Sequence, residues 1–359
     1  MENAEKMHSP QKVLYKQDEL PVFQNRVYDS VAEARDCPTG NMCLVQDRAT
    51  GLIYNKAFRP ELVVYDAAYQ NEQGVSRLFQ SHLLNVAEIV GKNMGTQDLV
   101  EIGCGKGLFL EMLLSDGFGI TGFDPAYEGS NPRVLRQFFE PGVGMHAKGL
   151  ILRHVLEHIS NPIEFLQQLC AANGRDGLIY IEVPCFDWIC EHRTWFDVFY
   201  EHVNYFRLSD FHRIFDNVIA SGKIFGGQYL YIVAELASVR VPSASKKDEV
   251  DFPDDFTDRL ALRNPFWTSD AAVWGGASKG VIFSVLKERL GQPVKMVIDI
   301  NPAKQGKFLA LTGLKVESPA DALGSLPAQS IIYIMNSHYL EEIKQISNNQ
   351  YNYITVDHD

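Results

Sequence analysis

The chain has 359 residues, 46% of them hydrophobic, and a formal net charge of -12. That length can bury a large core over two or three domains. The charge argues against a nucleic-acid partner bound through phosphate neutralisation, and no run of about 18 apolar residues is present to span a membrane. Six cysteines at irregular positions read as reduced thiols, and the polar opening stretch MENAEKMHSPQKVLYKQDEL lacks the apolar core of a signal peptide, so a cytoplasmic location is expected.

In chain order, residues 1–60 hold short strand-like pieces, Cys43-Leu44-Val45-Gln46 and Leu52-Ile53-Tyr54, and are expected to form a small N-terminal domain. Residues 61–238 alternate strand and helix patterns as a parallel sheet requires. An apolar strand ends near Glu101, a helix follows from Leu108, Ile120–Phe123 and Gly149–Leu152 read as strands, Asn161-Pro162 opens a helix, and Leu178–Pro184 is a further strand. Residues 239–268 are read as a linker, because PSASKKDEVDFPDDFTD is polar, charged and punctuated by proline. From residue 269 a second α/β pattern begins: Ala271–Trp274, a helix to Leu290, Lys295–Asp299 and Ser330–Ile334.

The most specific segment is Glu101-Ile102-Gly103-Cys104-Gly105-Lys106-Gly107, a strand end that opens into a glycine turn and then a helix. Glycines there permit backbone torsions and close approach that a side chain would block. The G-x-x-x-x-G-K-[ST] phosphate loop is absent, and the spacing is G-x-G-x-G, not the dinucleotide G-x-G-x-x-G. Glu101 is badly placed beside a pyrophosphate but suits the ammonium end of a zwitterionic ligand. Asp124, seventeen residues past Gly107, ends a second apolar segment where an acid can bind ribose hydroxyls. This pairing resembles the Rossmann-like methyltransferases that use S-adenosylmethionine (SAM).

Two further constellations carry polar chemistry. His154-Val155-Leu156-Glu157-His158 matches H-x-x-E-H, which on a helix would present two zinc-binding histidines. Here the motif follows a strand and precedes the helix start at Asn161-Pro162, so the helical context is missing; the resemblance to the SAM enzymes implies a segment at the carboxyl end of the fourth strand that lines the cleft, and a capped turn is the alternative. Phe199–Phe206, FYEHVNYF, places Glu201 and His202 among aromatic residues. Burial lowers a histidine's basicity and a nearby glutamate raises it, a balance suited to a general base. An exposed turn with packing tyrosines is the alternative.

Taken together, these segments resemble the sugar C-methyltransferases that act on nucleotide-linked keto-deoxysugars. The likeness includes Gly51–Asn55, Tyr65–Phe79, the glycine loop, His158, the Glu201–Phe206 run with Gly226-Gly227, Trp274–Gly280 and Val297–Phe308. It implies an α/β class I SAM core between a small N-terminal domain, degenerate relative to the family's zinc domain, and a C-terminal Rossmann-like domain at 269–359. It implies SAM as cofactor, held by Tyr69, Ser76, Glu101, Gly103, Gly105, Gly107, Asp124 and His154, with Tyr69 and Ser76 forming a lid. His202 would be the base, with Glu201 and His158 orienting the acceptor, a small molecule such as a nucleotide-linked sugar. The family's zinc domain carries paired C-x-x-C motifs; none occurs here, and Cys37 and Cys43 are a poor substitute, so no metal is expected.

Two alternatives stay open. The same histidine would serve O- or N-methylation. The Trp274–Gly280 turn, WGGASKG, with Asp299 downstream also imitates a dinucleotide fingerprint, which would make the chain an NAD-binding redox protein; otherwise the turn and Lys279 hold a substrate phosphate or shape the cleft.

Overall fold

A computed structural model describes residues 10–63, 76–261 and 270–357. At its centre is a seven-stranded sheet, ordered Val218–Ile224, Tyr229–Glu235, Leu178–Pro184, Gly149–Arg153, Leu99–Ile102, Ile120–Phe123, Val134–Leu135. The strands from Leu178–Pro184 to Val134–Leu135 run parallel, and Tyr229–Glu235 is antiparallel to both its neighbours. Leu99–Ile102, Leu150–Leu152 and Ile179–Val183 are buried throughout, which explains why they are apolar apart from Glu101 and Glu182. The first of these strands lies mid-sheet, with the next strand in sequence on one side and the Gly149–Arg153 strand on the other. The order therefore reverses beside it, and a crevice opens at the strands' carboxyl ends.

The helix Arg77–Met94 covers one face, burying Phe79, His82, Leu83, Val86, Ala87, Val90 and Met94 at helical spacing. Ser76 caps it by accepting from the Phe79 amide, and Gly95, at φ 79°, ends it. The helix expected after the glycine turn runs Leu108–Ser115, and the one expected after Asn161 runs Pro162–Ala172.

A four-stranded sheet joins Gln11–Pro21, Thr39–Asp47, Ile53–Asn55 and Asn204–Tyr205, so a strand from the middle of the chain completes the N-terminal sheet. That junction fixes Glu201 and His202 immediately before it. Residues 240–258 are largely irregular and pack on this sheet: Gln46 bonds the Asp248 carbonyl and the Val250 amide, and Lys12 pairs with Glu249. A third, wholly parallel sheet has the order Val316–Glu317, Met296–Ile298, Ala272–Trp274, Ile331–Ile334, Asn352–Thr355, and Phe308–Leu309 pairs with Val27–Tyr28. Among the described residues, no helix is long and apolar enough to cross a membrane.

Candidate functional site

The glycine turn sits at the switch point. Gly103, Gly105 and Gly107 all adopt positive φ, at 70°, 55° and 82°. A β-carbon on Gly103 would come within 2.5 Å of Val155 Cγ2, whereas one on Gly105 would meet nothing within 4 Å. The first glycine is thus required by packing, and the second borders open space. The Gly105 amide donates to Asp124 Oδ2 at 2.7 Å and the Ala126 amide to Oδ1 at 2.8 Å, tying the two strand ends together.

Glu101 is buried, and its Oε2 has no hydrogen-bond partner. Burial pushes its carboxyl up to about 7; Arg153 pulls against that shift and Asp124 adds to it. An orphaned carboxylate oxygen beside a glycine turn bordered by open space fits a ligand with an ammonium group at one end and a nucleoside at the other. Glu101, Gly103, Gly105, Gly107 and Asp124 would hold such a ligand.

Behind the turn lies a buried charge cluster centred on Glu182. Its Oε1 is 2.8 Å from His82 Nε2 and 3.1 Å from His154 Nε2; Arg153 Nε donates to Oε2 at 3.2 Å and Tyr180 Oη at 2.9 Å. Burial opposes its charge, but Arg153 and the two histidines hold the Glu182 carboxyl well below the ordinary range. His154, at a strained φ of 51°, also lies 3.3 Å from Glu157 through Nδ1. Burial disfavours its charge, yet the bonds to Glu157 and Glu182 push it up to about 9. Both His154 nitrogens face glutamates, so its side chain locks two strand ends together.

His158 and His202 meet with ring centroids 5.0 Å apart. His158 Nδ1 is 2.8 Å from the Glu201 carbonyl oxygen, while Glu201 Oε2 accepts from the Gln24 amide at 2.8 Å. Glu201 therefore positions His158 through its backbone and anchors the N-terminal segment through its side chain. His202 is buried against Phe199, ring centroids 4.0 Å apart, and its Nδ1 has no partner. Burial, then the charges of His158, His154 and Lys279, hold its basicity well below the ordinary value. The ring is therefore held in its neutral form.

H-x-x-E-H forms a 3-10 turn, Leu156–His158, and not the helix that a zinc-peptidase motif requires. Glu157, His158 and His202 nevertheless bring one possible ligand atom each within 4.8 Å of one another. Ser76 caps its helix and bonds Glu342 at 3.0 Å; Tyr69 lies outside the described residues.

In the C-terminal turn, the Gly276 amide donates to Asp299 Oδ2 at 2.7 Å and the Asn301 amide to Oδ1 at 2.8 Å. Buried Lys304 stands 3.7 Å from Asp299 Oδ2. An open cleft of about 560 Å³ lined by Cys190, Arg193 and Asp251–Asp255 contains none of these groups. His82, Arg153 and Glu182 were not assigned as site residues from sequence, and Lys279 was read there only as a holder of a substrate phosphate. Glu182 carried one signal, a lone acid within an apolar strand.

A methyltransferase-domain family model matches residues 63–218, the stretch that contains the turn, Asp124, both histidines and Glu182. This chain is a SAM-dependent methyltransferase. It is also similar to the C-methyltransferase NovU of Streptomyces niveus, at 23% identity over 308 residues, covering 73% of this chain and 72% of that protein. Solved structures similar to parts of the chain include a SAM-dependent methyltransferase from Archaeoglobus fulgidus, at 16% identity, covering 45% of this chain and 100% of that one, with a TM-score of 0.33. Another is the 1,6-didemethyltoxoflavin-N1-methyltransferase of Burkholderia thailandensis, at 14% identity, 44% and 80% coverage and a TM-score of 0.33.

Proposed function

We propose that this methyltransferase methylates a carbon beside a keto group of a small molecule, of the nucleotide-linked keto-deoxysugar class, with His202 as base. The observation that carries the reading is the buried neutral imidazole of His202, with Nδ1 unpartnered, beside His158 in a methyltransferase domain. SAM, when bound, supplies an electrophilic methyl group. The protein's task is then to create a carbon nucleophile and align it. His202 takes the proton; His158, oriented by the Glu201 carbonyl, stands beside it to relay the proton or orient the acceptor. The similarity to NovU, by name a C-methyltransferase, supports carbon as the methylated atom.

The proposed organisation is a small N-terminal domain at 1–60, the methyltransferase domain at 61–238, a linker at 239–268 and a C-terminal Rossmann-like domain at 269–359. The parallel five-stranded sheet supports the last of these. Incubation with labelled SAM and a panel of nucleotide-linked keto and amino sugars tests the substrate class. Label on a carbon next to the keto position supports it; label only on oxygen or nitrogen overturns C-methylation.

A further inference from the structure

Among the C-terminal side chains that reach the preceding part of the chain, Lys279 is the one that brings a cation. Lys279 is the second residue of the helix Ser278–Arg289, directly after the Gly275-Gly276 turn. Its Nζ lies 2.8 Å from Asp197 Oδ2, donates to Gln228 Oε1 at 3.3 Å and stands 5.3 Å from the centroid of the Trp188 ring. Those partners come from three separate segments of the methyltransferase domain. Gln228 is itself clamped by Asn336 and His338 at 2.9 Å, so its acceptor oxygen is fixed. A β-carbon on Gly227 would approach Trp188 to 3.3 Å, so the glycine turn and the indole face pack closely.

The ammonium has three N–H donors, of which Asp197 and Gln228 take two. Its side chain keeps 21% of its exposure, while Trp188 and Asp197 are buried. The cation is thus fixed on an aromatic wall with one donor remaining. Its partner Asp197 lies two residues before Phe199, whose ring packs on His202 with centroids 4.0 Å apart, so the ammonium is anchored to the segment that carries the base.

We propose that Lys279 is a catalytic residue of the acceptor site, the cation that stabilises the negative oxygen formed when the acceptor loses its proton. This inference rests on the reading of His202 as base. His202 takes the proton from the acceptor's C–H, and the electron pair moves onto the neighbouring carbonyl oxygen as an enolate, beside the Lys279 ammonium. The enolate carbon then forms the new C–C bond as the methyl–sulfur bond breaks, and the sulfur keeps that electron pair in the departing S-adenosylhomocysteine. A cation already fixed by Asp197, Gln228 and Trp188 needs little reorganisation to meet a developing oxyanion, which makes it worth more there than a free ammonium in solution. The C-terminal unit would thereby complete the active site.

The test uses the full-length chain as wild type, Lys279→Met and Lys279→Arg. With the acceptor identified in the panel above, Lys279→Met lowers kcat on the order of 100-fold or more at a temperature where the variant stays folded and its S-adenosylhomocysteine affinity is close to wild type; Lys279→Arg restores part of the loss. Deuterium exchange at the acceptor's acidic C–H, measured with S-adenosylhomocysteine bound, falls in parallel. Unchanged kcat and exchange in Lys279→Met would overturn the proposal, as would a loss that only tracks a lower unfolding temperature. If wild type modifies no acceptor in the panel, the substrate reading fails separately. An NMR titration of the His202 imidazole then decides: its pKa rises in Lys279→Met if the ammonium faces the base, and an unmoved pKa rejects the assignment.

Discussion

If Glu101 receives the ammonium of SAM, as its unpartnered oxygen suits it to do, binding should be a proton-linked event. In the free protein its buried carboxyl is pushed up to about 7, so near neutrality it carries a proton about half the time. Only the carboxylate can pair with the ammonium of the ligand's methionine end. Because the folded value is raised, the ionised, binding-competent form is complete above that value and lost below it. The ionised fraction is about nine-tenths at pH 8 and about one-tenth at pH 6, so affinity for S-adenosylhomocysteine should fall about tenfold between them, roughly 1.4 kcal/mol. Isothermal titration calorimetry across that range, repeated in buffers of different ionisation enthalpy, measures both the fall and the release of about half a proton at pH 7. Glu101→Gln should bind more weakly at pH 8 and show no slope. A flat wild-type profile, or the same slope in Glu101→Gln, would refute the reasoning.

Other expectations follow from neighbouring groups. Asp124→Ala removes the acceptor of the Gly105 and Ala126 amides, and should cost about 1–3 kcal/mol of stability in urea unfolding as well as greatly weakening S-adenosylhomocysteine binding. Glu182→Gln leaves Arg153 and His154 without their buried counter-charge and should cost about 3–5 kcal/mol by the same measurement. The His154 imidazolium, raised to about 9 in the fold, contributes stability that is complete below its ordinary 6.5 and lost as pH rises through 9, a loss that Glu182→Gln should diminish. His202→Ala should keep S-adenosylhomocysteine affinity and lose methyl transfer; unchanged turnover would reject His202 as base.

The sequence was most readable where one residue type answers one backbone demand. The glycines at 103, 105 and 107 all take the positive φ expected of a tight strand-to-helix turn, and Asn161-Pro162 marked a helix start that begins at Pro162. The eleven-residue strand Gln11–Pro21 was not legible: it lies at a sheet edge, mostly half-buried or exposed, and lacks the alternation that a one-sided core imposes. The Glu182 cluster escaped for another reason. It draws His82 from a helix and His154 and Arg153 from a neighbouring strand end, and no local spacing encodes that convergence.

The two glycine turns show how far a motif carries a site. In each, the amide of a second glycine donates to an acid that follows the next strand: Gly105 to Asp124, and Gly276 to Asp299. The backbone solution is the same, but the surroundings differ. The first turn has Glu101 on the strand before it with an unpartnered oxygen; the corresponding strand of the second is Ala272-Val273-Trp274, with no acid to receive an ammonium group, and buried Lys304 stands beside Asp299. A buried acid able to receive an ammonium group is therefore present on the strand before the first turn and not on the strand before the second. What the second turn offers is the helix that follows, whose Lys279 reaches Asp197, Gln228 and Trp188 in the methyltransferase domain.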